Sequence, residues 1–493
     1  MSIVALEGIT QHFGDFVALD NVSLHVQKGD LHAIVGENGA GKTTLMRILY
    51  GALSPSTGTV SVRGQVRNYR SSRDAIADRI GMVSQHYAII PELTCLQNLM
   101  LGAETGPVMN LAQCRARADE LANRMGFSFD WSAKAETLGP AGAQKLEILK
   151  LLWRNAEVMI LDEPTAMLSP RDADALFESL RVLARDGATV ILVTHRLPEV
   201  MDYCQQVTVL RGGKLIAHKE VQKVNKAELA ELIVGHALAE FASRELPPSE
   251  AVLSVQNFSV TGDRGDEAVK GASFQVGKGE LVGLAGVDGN GQKELFHALL
   301  GTRTFHGLAN LKGEDLTGES TRERIEAGLR IIAEDRLDEA IVEDWSLADN
   351  AVLGFQRLPA FRSGAGINEA YKAERVQEYI TRFNTKCTSA AQPIGSLSGG
   401  NQQRFVAARA LGESPSLVLA FQPARGLDID ATRAVYQGLR EVCANGAGAL
   451  IVSFDLDELL EFCDRILVIN GGVVSSPSAK DRTEIGQLMV GAV

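Results

Sequence analysis

Residues 22–26, Val-Ser-Leu-His-Val, alternate apolar and polar positions, the period-two pattern of a strand with one buried face. The following run at 31–35 is apolar apart from His32, and residues 80–83, 158–161 and 190–193 carry no charged or strongly polar side chain. Short continuous runs of this kind predict strands buried on both faces, as in parallel sheets covered by helices. Residues 111–125 lie between two of these runs, are rich in Ala, Arg and Leu, and contain no proline. They predict a long helix in an inserted helical subdomain. Further helices are expected at 45–50 and 227–234. The pattern is that of an α/β core.

The pattern occurs twice. Lys28-Gly29-Asp30 recurs as Lys278-Gly279-Glu280, and Gly36, Gly39 and Gly41 recur as Gly286, Gly289 and Gly291, 250 positions on. Farther along, Leu138 pairs with Leu397 and Pro164 with Pro423, 259 positions on, so the second copy carries a small insertion in mid-domain. The junction falls between 236 and 251, where residues 243–250 are polar and include Pro247 and Pro248. This divides the chain into a first domain at 1–240, a linker at 241–251 and a second domain at 252–493.

Composition narrows the class. The 493 residues, 45% hydrophobic, suffice for two core-burying domains. With 61 acidic against 49 basic residues the net charge is −12, which supplies no general field for nucleic acid. The six cysteines lack Cys-x-x-Cys spacing, arguing against a zinc site or a disulfide framework and for a reducing cytoplasm. No run approaches the roughly 18 apolar residues that span a bilayer, and residues 1–5 do not look like a signal peptide.

The chemistry centres on Gly36, Glu37, Asn38, Gly39, Ala40, Gly41, Lys42, Thr43 and Thr44. This Gly-x4-Gly-Lys-Thr run sits between a predicted strand and a predicted helix, the setting of a phosphate-binding loop. Backbone N–H groups and a helix N-terminus there face one anion, Lys42 reaches the β- and γ-phosphates, and Thr43 offers a hydroxyl to Mg²⁺. The apolar run 158–161 ends in Asp162 and Glu163, placing one carboxylate toward Mg²⁺ and the other toward an attacking water, with Glu163 as general base. The run at 190–193 leads through Thr194 into His195, a candidate partner for the γ-phosphate and that water. Gln85, just after residues 80–83, is a candidate Mg²⁺ ligand and γ-phosphate sensor.

In this order the elements resemble the ATP-binding cassette ATPases, twice over and across essentially the whole chain. The resemblance implies two tandem P-loop ATPase domains, each with a mixed sheet and an inserted helical subdomain, using ATP and Mg²⁺. It puts an aromatic before the loop to stack on adenine, and Phe13 fits. It also implies that the two halves close into an intramolecular dimer, each ATP lying between one half's phosphate loop and the other's signature segment. Leu397-Ser398-Gly399-Gly400-Asn401-Gln402 nearly matches that signature, so Ser398, Gly399 and Gly400 are expected to hold the γ-phosphate in trans. The first half has Leu138-Gly139-Pro140-Ala141-Gly142-Ala143 instead, without the hydroxyl and with proline in place of a donor.

The second half's own catalytic positions are altered: Gln292 replaces the loop lysine, Phe421-Gln422 the Asp-Glu pair and Phe454 the histidine. Glu334 stands where glutamine is expected, and Lys293 could reach phosphate only if the loop shifted register. Both sets of losses fall on the same composite site. One competent ATP site is therefore expected, with the other at most holding nucleotide.

Among these ATPases the tandem arrangement is similar to subunits of simple-sugar and nucleoside importers. Such a subunit sits peripherally on the cytoplasmic face of the membrane and works with two permease subunits and an extracytoplasmic solute-binding protein. Gln85-His86, residues 146–150 and the run 422–428 resemble the nucleoside branch more, with simple sugars as the alternative. Phe421 and Ala424 depart from both patterns. A competing class, tandem-cassette factors of the ribosome, usually keeps two complete sites and a long basic linker, whereas this junction is short and carries Arg244 as its only basic residue between 242 and 252.

Overall fold

Three of the near-continuous apolar runs become interior strands of a parallel sheet, where both faces are covered, and the fourth, residues 80–83, forms its edge. Leu31–Val35, Val158–Asp162 and Thr189–Val193 are buried at every position. In the computed structural model their sheet is ordered Lys214–Glu220, Gln206–Arg211, Leu31–Val35, Thr189–Val193, Val158–Asp162 and Ile80–Val83. All neighbours run parallel except the hairpin of Lys214–Glu220 with Gln206–Arg211. The structure describes all residues except 1, 85–87, 104–109, 166–167, 169, 195, 237–240, 242–243, 245–248, 264, 490 and 492–493.

The alternating run at 22–26 lies in Phe16–Gln27, which pairs antiparallel with Ser2–Phe13 in a separate four-stranded sheet. Its apolar face packs with the helix Lys42–Leu49 and the parallel sheet in one core containing Leu24, Val26, Leu45, Ile160 and Ile191. The helix predicted at 111–125 is observed at Leu111–Arg124, capped by the Asn110 side chain, which accepts from the N–H groups of Ala112 and Gln113. The chain divides into two compact units, residues 1–239 and 240–493. In the second unit the six-stranded sheet repeats the order, with Leu281–Ala285 between Gly448–Val452 and Arg465–Asn470.

Two features go beyond the sequence patterns. The insertion in the second copy forms a small hairpin, Arg362–Ser363 with Gly366–Ile367, anchored by fully buried Phe361 packed with Val352 and Phe355. The segment whose composition marks it as a connector is partly built into the second unit. Arg244 donates to Asp464 through Nε and Nη2 at 3.1 and 2.7 Å, and the Phe241 ring meets Phe462 edge-on at 4.7 Å.

A histidine sits in the middle of the first sheet. His32 is fully buried, with Nε2 2.8 Å from the Thr208 hydroxyl, and that hydroxyl is 3.0 Å from His218 Nδ1. Burial, and secondarily the neighbouring His218, pushes the His32 pKa down to about 3 from 6.5. The unfolded chain therefore takes up this proton first, so stability is full above about pH 6.5 and falls as pH drops toward 3. Between pH 7 and 5 the expected loss is about 2 kcal/mol, from 1.36 kcal/mol per pH unit below the unfolded pKa. Urea unfolding of the first unit should show that loss in the native chain and a flatter pH dependence in His32→Gln. Identical pH dependence in both would contradict it.

Candidate functional site

The strand Leu31–Val35 leaves the sheet at its carboxyl edge and turns directly into the glycine-rich loop. Gly36 has φ 156°, and a Cβ there would lie 2.1 Å from the Leu210 carbonyl oxygen. Gly41 has φ 96°, and a Cβ would meet Leu19 Cδ2 at 2.6 Å and the Ala18 carbonyl at 2.8 Å. Only glycine fits at either position. The left-handed Gly41 also starts the helix at Lys42, three residues earlier than the apolar run suggests. As a result Lys42, Thr43 and Thr44 form its first turn, where N–H groups have no intrahelical partner and the dipole attracts an anion.

Lys42 is buried and folds back over the loop, donating from Nζ to the carbonyls of Gly36 at 2.7 Å and Glu37 at 2.9 Å. Thr43 Oγ1 donates to Asp162 Oδ2 at 3.3 Å, so the loop and the acidic strand end meet at one point. Burial raises the Asp162 pKa, and the Glu163 carboxylate beside it adds to the effect. Glu163 has φ 48°, a left-handed conformation costing about 1–3 kcal/mol for a residue with a side chain. Its N–H donates to the Val193 carbonyl at 2.8 Å, tying it to the next strand. Phe13 lies at the tip of the first hairpin, 51% exposed. The structure thus brings residues 36–44, Asp162 and Glu163 to one sheet edge; Gln85 and His195 lie outside the described residues.

In the second unit the same backbone carries different chemistry. Gly291 has φ 106° and again starts the helix at the following residue, so the loop has not shifted register. Gln292 is buried in the lysine's place, donating from Nε2 to the Val287 carbonyl at 3.0 Å and accepting from the Asn290 N–H at 3.1 Å. Lys293 pairs with Glu334 at 2.8 Å, and Arg425 approaches the same carboxylate at 3.9 Å. Phe421, where the first unit has Asp162, is buried against Phe296 and Phe454 at ring distances of 5.5 and 5.8 Å. Gln422 keeps the left-handed backbone, φ 49°, and the N–H bond to Val452, but brings no carboxylate.

The signature positions differ in the opposite sense. Ser398 is an exposed residue at the N-cap of Gly399–Gly412, its Oγ accepting from Asn401 Nδ2 at 2.9 Å. A Cβ at Gly399 would collide with the Arg336 guanidinium at 2.4 Å. In the first unit Gly139 caps Pro140–Trp153 without a side-chain hydroxyl, and a proline, which has no N–H, opens the helix.

A bridge that the sequence reading missed lies beside Glu163. Glu199 is buried on the helix Leu197–Tyr203 and accepts from the hydroxyls of both Thr165 and Thr194. The repeat holds a signal for it, since Glu458 stands four residues after Phe454 as Glu199 does after His195.

The model of the ABC transporter family matches residues 19–166 and 269–424. The chain is 38% identical to the glucose import ATP-binding protein TsgD13 of Haloferax volcanii, over 99% of this chain and 95% of the relative. It is 36% identical to the nucleoside import ATP-binding protein NupA of Lactococcus lactis subsp. cremoris and 35% to the guanosine import ATP-binding protein NupO of Bacillus subtilis. Each of those two matches spans 99% of this chain and 98% of the relative. Two cassettes, each with a loop-bearing parallel sheet, and full-length likeness to these proteins identify the chain as an ATPase of the ABC transporter family.

Proposed function

We propose that the chain energises nucleoside import through two separate permease subunits fed by an extracytoplasmic binding protein, from a peripheral position on the cytoplasmic face of the membrane. The full-length likeness to nucleoside and guanosine import ATPases carries the reading. Simple sugars are the second reading, supported by the glucose import relative at 38% identity and by ribose import relatives. Among the described residues no helix is long and apolar enough to cross a membrane, so in this reading the crossing belongs to the partner subunits. A groove of about 290 Å³ in the first unit, lined by Gly81, Met82, Ala88, Leu101, Glu147 and Lys150, is where a permease helix would dock.

Hydrolysis is assigned to the first unit's loop. The backbone of residues 36–44 and Lys42 hold the phosphates, and Phe13 stacks on adenine. A hydroxyl and a carboxylate 3.3 Å apart fit a hard divalent cation, so Thr43 and Asp162, with Gln85, would hold Mg²⁺, which neutralises phosphate charge. Glu163 takes the proton of the attacking water, and His195 orients that water. Ser398, Gly399 and Gly400 complete this site from the second half in trans. Support comes from complementary losses: the half with the intact loop lacks the signature hydroxyl, and the half with the intact signature lacks lysine and both carboxylates.

Uptake of labelled nucleosides, pentoses and hexoses by cells carrying this chain and its permeases tests the role. Nucleoside uptake that disappears in Lys42→Ala is expected. Lys42-dependent sugar uptake would change the substrate and keep the mechanism, and no Lys42-dependent uptake at all would overturn the importer reading. A second experiment tests the pairing of sites. Ser398→Arg should lower ATP turnover by about 10²–10³-fold, the usual cost of losing a preorganised donor. Gly139→Arg should change it less than about twofold, and a Cβ at Gly139 meets no heavy atom within 4 Å, so the chain has room for it. Equal loss in both variants would refute the assignment.

A further inference from the structure

We propose that Glu199 is a positioning residue for ATP hydrolysis, holding the loop that bears Glu163 against the strand end that leads to His195. The inference rests on the proposal that Glu163 is the general base.

Glu199 Oε1 accepts from the Thr165 hydroxyl and from Arg196 Nη1 at 3.2 Å, while Oε2 accepts from Thr194 Oγ1 at 2.8 Å. The Thr194 hydroxyl accepts in turn from the Arg196 N–H at 3.0 Å. Thr165 is two residues beyond Glu163, and Thr194 immediately precedes His195. One buried carboxylate thus spans two loops that reach the site from neighbouring strands, Val158–Asp162 and Thr189–Val193. Glu163 needs such support. Its backbone is left-handed, and its N–H bonds to the Val193 carbonyl of the neighbouring strand, so both strand ends share in setting its position. Hydrogen bonds to an ionised acceptor are stronger than neutral ones, and in a buried setting water does not compete for them.

The second unit shows which arm of the bridge goes with catalysis. Glu458 keeps the bond to Ser453 Oγ at 2.6 Å, and the Asp455 N–H donates to that hydroxyl at 3.1 Å, as Arg196 does in the first unit. The position equivalent to Thr165 is Ala424, which has no hydroxyl, and the residue equivalent to Glu163 is Gln422. The arm shared by both units braces the fold. The arm reaching the carboxylate-bearing loop is present only where a general base remains to be aimed.

Removing that arm should slow the chemical step and leave ATP binding intact. In the full chain with its permeases, Glu199→Gln and Thr165→Val should each lower kcat about 10- to 100-fold, as lost supporting hydrogen bonds do at other sites. KM for ATP should stay within about twofold of the native value. Thr165→Ser, which restores the hydroxyl, should return kcat to within about threefold. The double variant should be no slower than the slower single one, because both act through one device. Native kcat in either single variant, a KM that rises as kcat falls, or failure of Thr165→Ser to rescue would overturn the proposal. The Thr165 pair decides the matter even if Glu199→Gln does not fold. Glu163→Gln is run alongside: full turnover there removes the general base itself, a failure distinguishable from a Glu199 effect.

Discussion

Parallel strand order is the constraint from which this site follows. Leu31–Val35 is hydrogen-bonded on one side to Thr189–Val193, which is itself paired with Val158–Asp162, and all three run the same way. Their carboxyl ends therefore open on a single edge, and whatever follows each strand in sequence is delivered there. The glycine-rich loop follows the first strand, Asp162 and Glu163 end the second, and Thr194 follows the third. The strands are buried on both faces, so their registers are held by packing, and the loops inherit that rigidity. Left-handed backbone at Gly41 and Glu163 then sets the direction each loop takes, at a cost the surrounding sheet sustains.

The second unit shows that this backbone outlasts its chemistry. The loop turn, the helix start and the left-handed residue after the acidic-strand position are all retained, with φ values of 106° at Gly291 and 49° at Gln422. Several positions that would meet a nucleotide now hold residues with partners inside the unit. Gln292 bonds within its own loop, Lys293 pairs with Glu334, and Phe421 joins an aromatic cluster with Phe296 and Phe454. Gly81, which lines the groove in the first unit, is matched in strand register by Arg330. The Arg330 guanidinium is buried and donates to the carbonyls of Glu413, Ile325 and Leu329.

Much of this was legible because local chemistry and spacing coincide. The loop glycines sit where only glycine fits, and the buried strands read as near-continuous apolar runs because both faces are covered. What the sequence concealed is tertiary. The Thr165–Glu199–Thr194 bridge joins residues up to 34 positions apart, and nothing in residues 197–203 distinguishes Glu199 from a solvated helix acid. The segment around 241–244 reads as a polar connector, yet Phe241 and Arg244 have partners only in the fold, on Phe462 and Asp464. The loop helix begins ahead of its apolar run because residues 42–44 carry no apolar periodicity, and capping geometry at Gly41 decides the start.

The central claim is that one phosphate loop of the two performs hydrolysis. Trapping ADP with vanadate in the assembled transporter, and counting labelled ADP per chain, tests it most directly. One trapped ADP per native chain and none in Lys42→Ala is the predicted result. Two per native chain, or trapping that survives Lys42→Ala, would contradict the account.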